Sequence, residues 1–177
     1  MNPGKDFEQQ WKDSVPEDVL IQRIPDPAQS FQKNAMRFSP HNPYDFFMYS
    51  SPTLFCLELK STKSSSFTFY REDFGGDEDK YNIKGHQIDG LALAGKYPGV
   101  VAGLVLNFRK VNRTYFIEIG KFQKLIAETQ KKSINETDIA QNGAILVNQT
   151  LKRTKFKFDV RKFIEDVNTT IAARAIS

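Results

Sequence analysis

Residues 43–63 read PYDFFMYSSPTLFCLELKSTK, and the alternation within them decides the fold. Residues 44–49 (YDFFMY) are aromatic and suited to a strand. Ser50-Ser51-Pro52 makes a turn, and residues 53–60 (TLFCLELK) form a second strand. Side chains two apart in a strand point the same way. Phe55, Leu57 and Leu59 therefore share one face, and Cys56, Glu58 and Lys60 share the other. Glu58 and Lys60 follow apolar residues in a strand expected to be largely buried, where charge is costly unless paired or bound to metal. The hairpin sets Asp45 on the neighbouring strand, within reach of Glu58.

Two carboxylates side by side repel unless a cation sits between them, and hard oxygen ligands select Mg²⁺, with Mn²⁺ as a substitute. Such a cation polarises a phosphodiester oxygen and acidifies an attacking water. A lysine beside it stabilises the developing phosphorane charge or orients that water. The pattern is read as metal-assisted phosphodiester hydrolysis. Glu-x-Lys is a common tripeptide, and taken alone it means an ion pair on the rim of a sheet. Its position a hairpin-length after Pro43-Tyr44-Asp45 gives it weight.

Upstream, residues 5–13 (KDFEQQWKD) form a short helix with Phe7 and Trp11 on one face, and residues 19–24 (VLIQRI) a short strand. Residues 25–43 are proline-rich and irregular. Downstream, residues 61–83 look like a polar surface loop with a short strand near residues 67–70. Residues 84–95 are helical, with Ile88, Leu91 and Ala92 on one face. Residues 100–108 (VVAGLVLNF) are apolar throughout, as expected of a central strand buried on both sides. A strand over residues 115–119 and a helix over about 121–131 follow, then a polar loop over 132–143. Strands are expected at 144–147 and 155–158. Asp159 caps a last helix with Val160, Phe163, Ile164, Val167 and Ile171 on its apolar stripe. A helix between two strands permits a parallel crossover, so the fold class is α/β, a mixed central sheet flanked by helices, in one domain spanning 1–177.

Hydrophobic residues make up 40% and charged residues 26% of 177, the balance of an ordinary globular chain. No apolar run is long enough to span a membrane, and the polar start MNPGKDFEQQWKD has no secretory apolar region. The lone Cys56 lies in an apolar run and reads as an inert buried thiol, which fits a reducing compartment. Net charge is +4, which permits a polyanionic partner. Basic residues Lys152, Arg153, Lys155 and Lys157 alternate with Phe156 and Phe158, a pattern suited to phosphate contact and equally to a half-buried strand with a lysine face. Residues 72–79 (EDFGGDED) are an acidic solvated loop without the ligand order of a calcium-binding loop. Nucleotide-binding glycine patterns, a Gly-x-Ser-x-Gly elbow and Cys/His zinc spacings are all absent.

Pro43-Tyr44-Asp45 followed by Glu58-Leu59-Lys60 resembles the PD-(D/E)xK nuclease signature of the restriction-endonuclease-like fold. More narrowly, Gly4-x-x-Phe7-Glu8, the segment ELKSTK at 58–63 and His86-Gln87 on the next helix are similar to RecU-type Holliday junction resolvases. The likeness covers roughly residues 4–126. It implies a metal-dependent endodeoxyribonuclease resolving four-way junctions in recombination and repair. Asp45 and Glu58 are then metal ligands, with the Leu59 carbonyl completing the shell and Lys60 as the catalytic lysine. Glu8 reaches the site directly or through a metal-bound water, and Gln87 orients Lys60 or a water. His86 is expected to meet phosphate or solvent. Lys63, Lys84, Lys152, Arg153, Lys155 and Lys157 are candidates for DNA contact. Paired cuts in a nearly two-fold junction imply a homodimer. The expected location is the cytoplasm, bacterial or that of a viral host, with no membrane partner. Family members carry a longer protruding segment between early strands; here residues 25–43 stand in its place, with Lys33 and Arg37 as its basic residues. The alternatives are a nuclease of the same type acting on flaps, ends or duplex, and a non-catalytic DNA-binding accessory protein.

Overall fold

The structure, a computed structural model, describes residues 2–25 and 42–175. Lys33 and Arg37 lie outside the described residues. Helix α1 (Pro3–Lys12) starts where the Asn2 side chain accepts the Gly4 N–H at 3.0 Å and Pro3 fits the first turn. Strands β1 (Leu20–Arg23), β2 (Phe46–Ser50) and β3 (Thr53–Thr62) run antiparallel in succession. Next come β4 (Ser66–Thr68), helix α2 (Gly85–Ala94), β5 (Val100–Phe108), β6 (Arg113–Glu118) and α3 (Ile119–Glu128). The chain then forms β7 (Ser133–Asn135), α4 (Glu136–Gln141), β8 (Ile145–Val147), β9 (Gln149–Lys152), β10 (Lys155–Phe158) and α5 (Val160–Ala175).

The central sheet has six strands in the order β1-β2-β3-β5-β6-β8. Because α2 crosses over between them, β5 returns parallel to β3, while the other neighbours are antiparallel. The mixed sheet flanked by helices is the one expected. Its two faces carry separate cores. On one, Cys56, Leu104 and Leu106 pack against Ile88 and Leu91 of α2 and Phe122 of α3. On the other, Phe55, Leu57, Leu59 and Val105 pack against Phe7 and Trp11 of α1 and Phe163 and Val167 of α5. β3 and β5 lie between both cores, which explains why their sequences are apolar almost without alternation.

Two segments expected as polar loops contribute to the core. Between residues 61 and 83, Phe67, Phe69 and Ile83 are fully buried. Within residues 132–143, β7 pairs with β4 and α4 buries Ile139. Polar residues hide these elements because each supplies only one or two apolar side chains. β9 was also unforeseen: it pairs with β10 as a hairpin turning at Arg153, whose φ is +56°. Asp159 does cap α5, its Oδ1 accepting from the Lys162 N–H at 3.1 Å. Ile171, expected on the apolar stripe, is 36% exposed. Among the described residues, no helix is long and apolar enough to cross a membrane.

Candidate active site

Asp45 enters β2 one residue before its first ladder pair, Phe46 with Leu57, and so stands opposite Glu58. The ladder continues through it: its N–H donates to the Leu57 carbonyl at 3.1 Å, and its carbonyl accepts from Ile24 at 2.8 Å. Its side chain turns back along β3, where Oδ2 accepts the Leu59 N–H at 2.8 Å. The N–H and C=O of one strand residue face the same edge, so the Leu59 carbonyl is directed toward the side on which Asp45 lies.

Glu58 is 2% exposed. Two donors converge on its Oε1: the Lys60 ammonium at 2.8 Å, and the Gln87 side-chain amide at 2.5 Å. The amide of Gln87 has a fixed sense, because its Oε1 accepts the Lys84 N–H at 3.1 Å at the start of α2. α2 approaches closely enough because residue 90 is glycine. A Cβ there would lie 2.4 Å from Pro43 Cβ, so the Pro43-Tyr44-Asp45 entry is pressed directly on the helix.

Burial governs the charge state of both acids. Desolvation pushes Asp45 up to about 6, with the charge of Glu8 adding to the rise and the Leu59 N–H, Lys60 and Arg23 opposing it. Desolvation pushes Glu58 up to about 8, opposed by Lys60 and reinforced by Asp45 and Glu8. In the metal-free protein the pair therefore resists carrying two negative charges, a condition that a divalent cation between them relieves.

Of the other expected site residues, Glu8 comes near enough to act on both acids through its charge. Its own Oε2 is taken by Arg23 Nε at 2.9 Å. Arg23 was not foreseen, although an arginine within VLIQRI was the signal. Among the described residues, no group of three or more His, Cys, Asp and Glu side chains is gathered closely enough to hold a metal ion. Among the described residues, Asp45, Glu58 and the Leu59 carbonyl could together offer a sparse set of hard oxygen donors, of the kind that suits a divalent cation keeping several waters.

The candidate DNA residues separate into groups. Lys63 is exposed just past β3. Lys84 and His86 face the acidic loop: Lys84 pairs with Asp79, and His86 Nδ1 lies 2.7 Å from Glu78 Oε1. The acidic loop is largely exposed, as expected, while its Glu78 and Asp79 also pair with the start of α2. Lys152, Arg153, Lys155 and Lys157 are exposed on the β9–β10 hairpin, with Phe158 buried and Phe156 half-buried beneath. The hairpin sits on α1, where Gln10 Oε1 accepts from the Phe156 N–H at 2.8 Å and Ser14 Oγ from the Phe158 N–H at 3.0 Å. Cys56 is buried, and burial pushes its thiol up, as an inert core position requires.

Residues 14–160 match the Recombination protein U (RecU) family. A SPbeta prophage-derived uncharacterized protein, YotM of Bacillus subtilis (strain 168), is 33% identical over 147 residues, 78% of this chain and 70% of YotM. A solved structure of Hjc, a Holliday junction resolvase of Archaeoglobus fulgidus, aligns with a TM-score of 0.45 at 14% identity, covering 77% of this chain and 88% of Hjc.

Proposed function

The chain belongs to the Recombination protein U family, and from that membership we propose that it is a Mg²⁺-dependent DNA endonuclease of the PD-(D/E)xK type that cuts four-way (Holliday) junctions. The observation that carries the reading is the placement of Asp45 opposite Glu58, with Lys60 bonded to Glu58 at 2.8 Å.

Asp45, Glu58 and the Leu59 carbonyl would hold the cation, with Mn²⁺ as a substitute. When bound, it neutralises charge at the scissile phosphate and makes a water acidic enough to attack at neutral pH. Lys60 places a positive charge beside Glu58, where the phosphorane charge develops. Gln87 holds Glu58 in position from α2, and Glu8, steadied by Arg23, adds negative charge that favours cation entry. The buried floor of the site restrains these groups, so little reorganisation is needed when substrate arrives.

The DNA lies across the end of the sheet where β2 begins and β3 ends. Lys63 and the β9–β10 hairpin, with Lys152, Arg153, Lys155 and Lys157, are the basic surfaces available to its phosphates. Lys84 and His86 join them once their acidic loop partners are displaced. Two cuts across a junction need two sites related by a two-fold axis, so the working unit is a homodimer.

Labelled four-way junction, linear duplex and single strand, each incubated with Mg²⁺ or EDTA, test the reading. Paired nicks in the junction alone, lost in EDTA, support it. Cutting of linear duplex instead removes the junction preference. Tight binding without cleavage of any substrate means an accessory protein.

A further inference from the structure

On the opposite face of the sheet from Glu58 and Lys60 lies a cavity of about 350 Å³. β3 and β5 are parallel, so their carboxyl ends meet at one end of the sheet. There Ser61 stands in register with Asn107, and its Oγ donates to Asn107 Oδ1 at 2.9 Å. The Asn107 amide in turn donates to Thr114 Oγ1 at 2.9 Å. Two residues beyond Asn107, Arg109 enters the cavity wall, its backbone N–H held by the Thr62 carbonyl at 2.9 Å.

Ser61, Asn107, Asp6 and Gln10 in this wall each have a hydrogen-bond partner. Arg109 Nε is buried and has no hydrogen-bond partner among the described residues. A buried guanidinium N–H without an acceptor is unfavourable, and a small turn of the Arg109 side chain toward an acceptor in the adjoining cavity would remove that penalty. Asp6 shares the lining, yet its Oδ2 accepts from Gln10 Nε2 at 2.7 Å along α1, and no Asp6–Arg109 ion pair forms among the described residues. The first turn of α1, at Pro3, borders the same space and brings the positive end of its helix dipole.

We propose that this cavity is a second phosphate subsite, in which Arg109 holds a non-scissile phosphodiester of the bound nucleic acid. A guanidinium presents paired donors that match a phosphate's oxygens, which the compact ammonium of lysine cannot do. The register places Arg109 on the order of 10 Å along the sheet from Lys60, at the same strand ends but facing the other side. A strand passing over the end of the sheet meets both, so the cavity sets the direction in which the chain crosses the catalytic residues. The inference rests on the nuclease reading only in that both take nucleic acid.

The test is binding of a four-way junction to the full chain in EDTA, which separates it from cleavage. In Arg109→Gln, affinity falls about tenfold and the salt slope drops by about one. Arg109→Lys recovers the slope but only part of the affinity. With wild-type protein, a scan of single methylphosphonate substitutions finds one phosphate away from the scissile bond whose neutralisation weakens binding. The same substitution costs Arg109→Gln nothing further. Wild-type affinity and slope in Arg109→Gln overturn the proposal. So does a scan in which only phosphates flanking the scissile bond matter, a result obtainable even where the variant does not fold. Intact binding with no cleavage in Mg²⁺ bears on the nuclease reading alone.

Discussion

Gln87 donates its side-chain amide to Glu58 Oε1 at 2.5 Å, joining the first turn of α2 to a carboxylate buried in the central sheet. The Lys84 N–H, 3.1 Å from Gln87 Oε1, prevents the amide from turning over. A helix start and a strand interior are thereby locked in one geometry.

Gln87→Ala removes that tie and leaves Lys60 as the remaining donor to Glu58 Oε1. Single-turnover cleavage in saturating Mg²⁺ is expected to slow by about 10–100-fold, as for other partners of metal-holding residues. Junction binding in EDTA stays within about twofold. Equal losses in cleavage and binding would mean that Gln87 supports the fold rather than the site.

The acids also predict how stability depends on pH. In the folded protein Asp45 is raised from 3.8 to about 6 and Glu58 from 4.5 to about 8. Between the ordinary and raised values the native state holds protons that the unfolded chain has released, so stability falls as pH rises through that window. Metal-free wild type should therefore lose stability between about pH 4 and pH 8. Glu58→Gln, neutral throughout, should exceed it at pH 8.5 by on the order of 1–3 kcal/mol. Thermal unfolding in EDTA from pH 5 to pH 9 reads the effect. A wild-type curve parallel to that of Glu58→Gln would show that Glu58 titrates normally.

Gly90→Ala should be destabilising despite alanine's better helix propensity, worth about 1 kcal/mol. The new Cβ would sit 2.4 Å from Pro43 Cβ and 2.9 Å from Pro43 Cα. Separating α2 from the Asp45 entry is expected to cost about 1–3 kcal/mol net. Cleavage falls with it, because Gln87 moves with the helix. Denaturant unfolding alongside cleavage rates checks both, and an unchanged midpoint would mean the contact yields freely.

Much of this site was legible because period-two alternation assigns faces directly. Asp45, Glu58 and Lys60 needed only the hairpin between them, and the helix carrying Gln87 was clear from Ile88 and Leu91. The coupling of Arg23 to Glu8, 15 residues apart, and of Gly90 to Pro43 leaves no periodic trace, because each depends on tertiary approach. β7 and β9 escaped for a related reason. They are short and polar, and their pairing partners rather than their own composition make them strands. Arg109 reads locally as an ordinary basic residue after a strand; only its buried Nε distinguishes it.

Lys155 and Lys157 project from β10 while Phe158 anchors it. Replacing both lysines with alanine should weaken DNA binding and reduce the salt slope by about two. An unchanged slope would remove the hairpin from the DNA surface.

The catalytic assignment is tested most directly by single-turnover cleavage of a mobile four-way junction in Mg²⁺, comparing wild type with Asp45→Asn, Glu58→Ala and Lys60→Ala. Symmetric nicking by wild type is expected. Each variant should lose at least about 10²-fold in rate while binding the junction in EDTA. Cleavage at the wild-type rate by any of the three, or persisting in EDTA, would contradict a cation-dependent centre built on Asp45, Glu58 and Lys60.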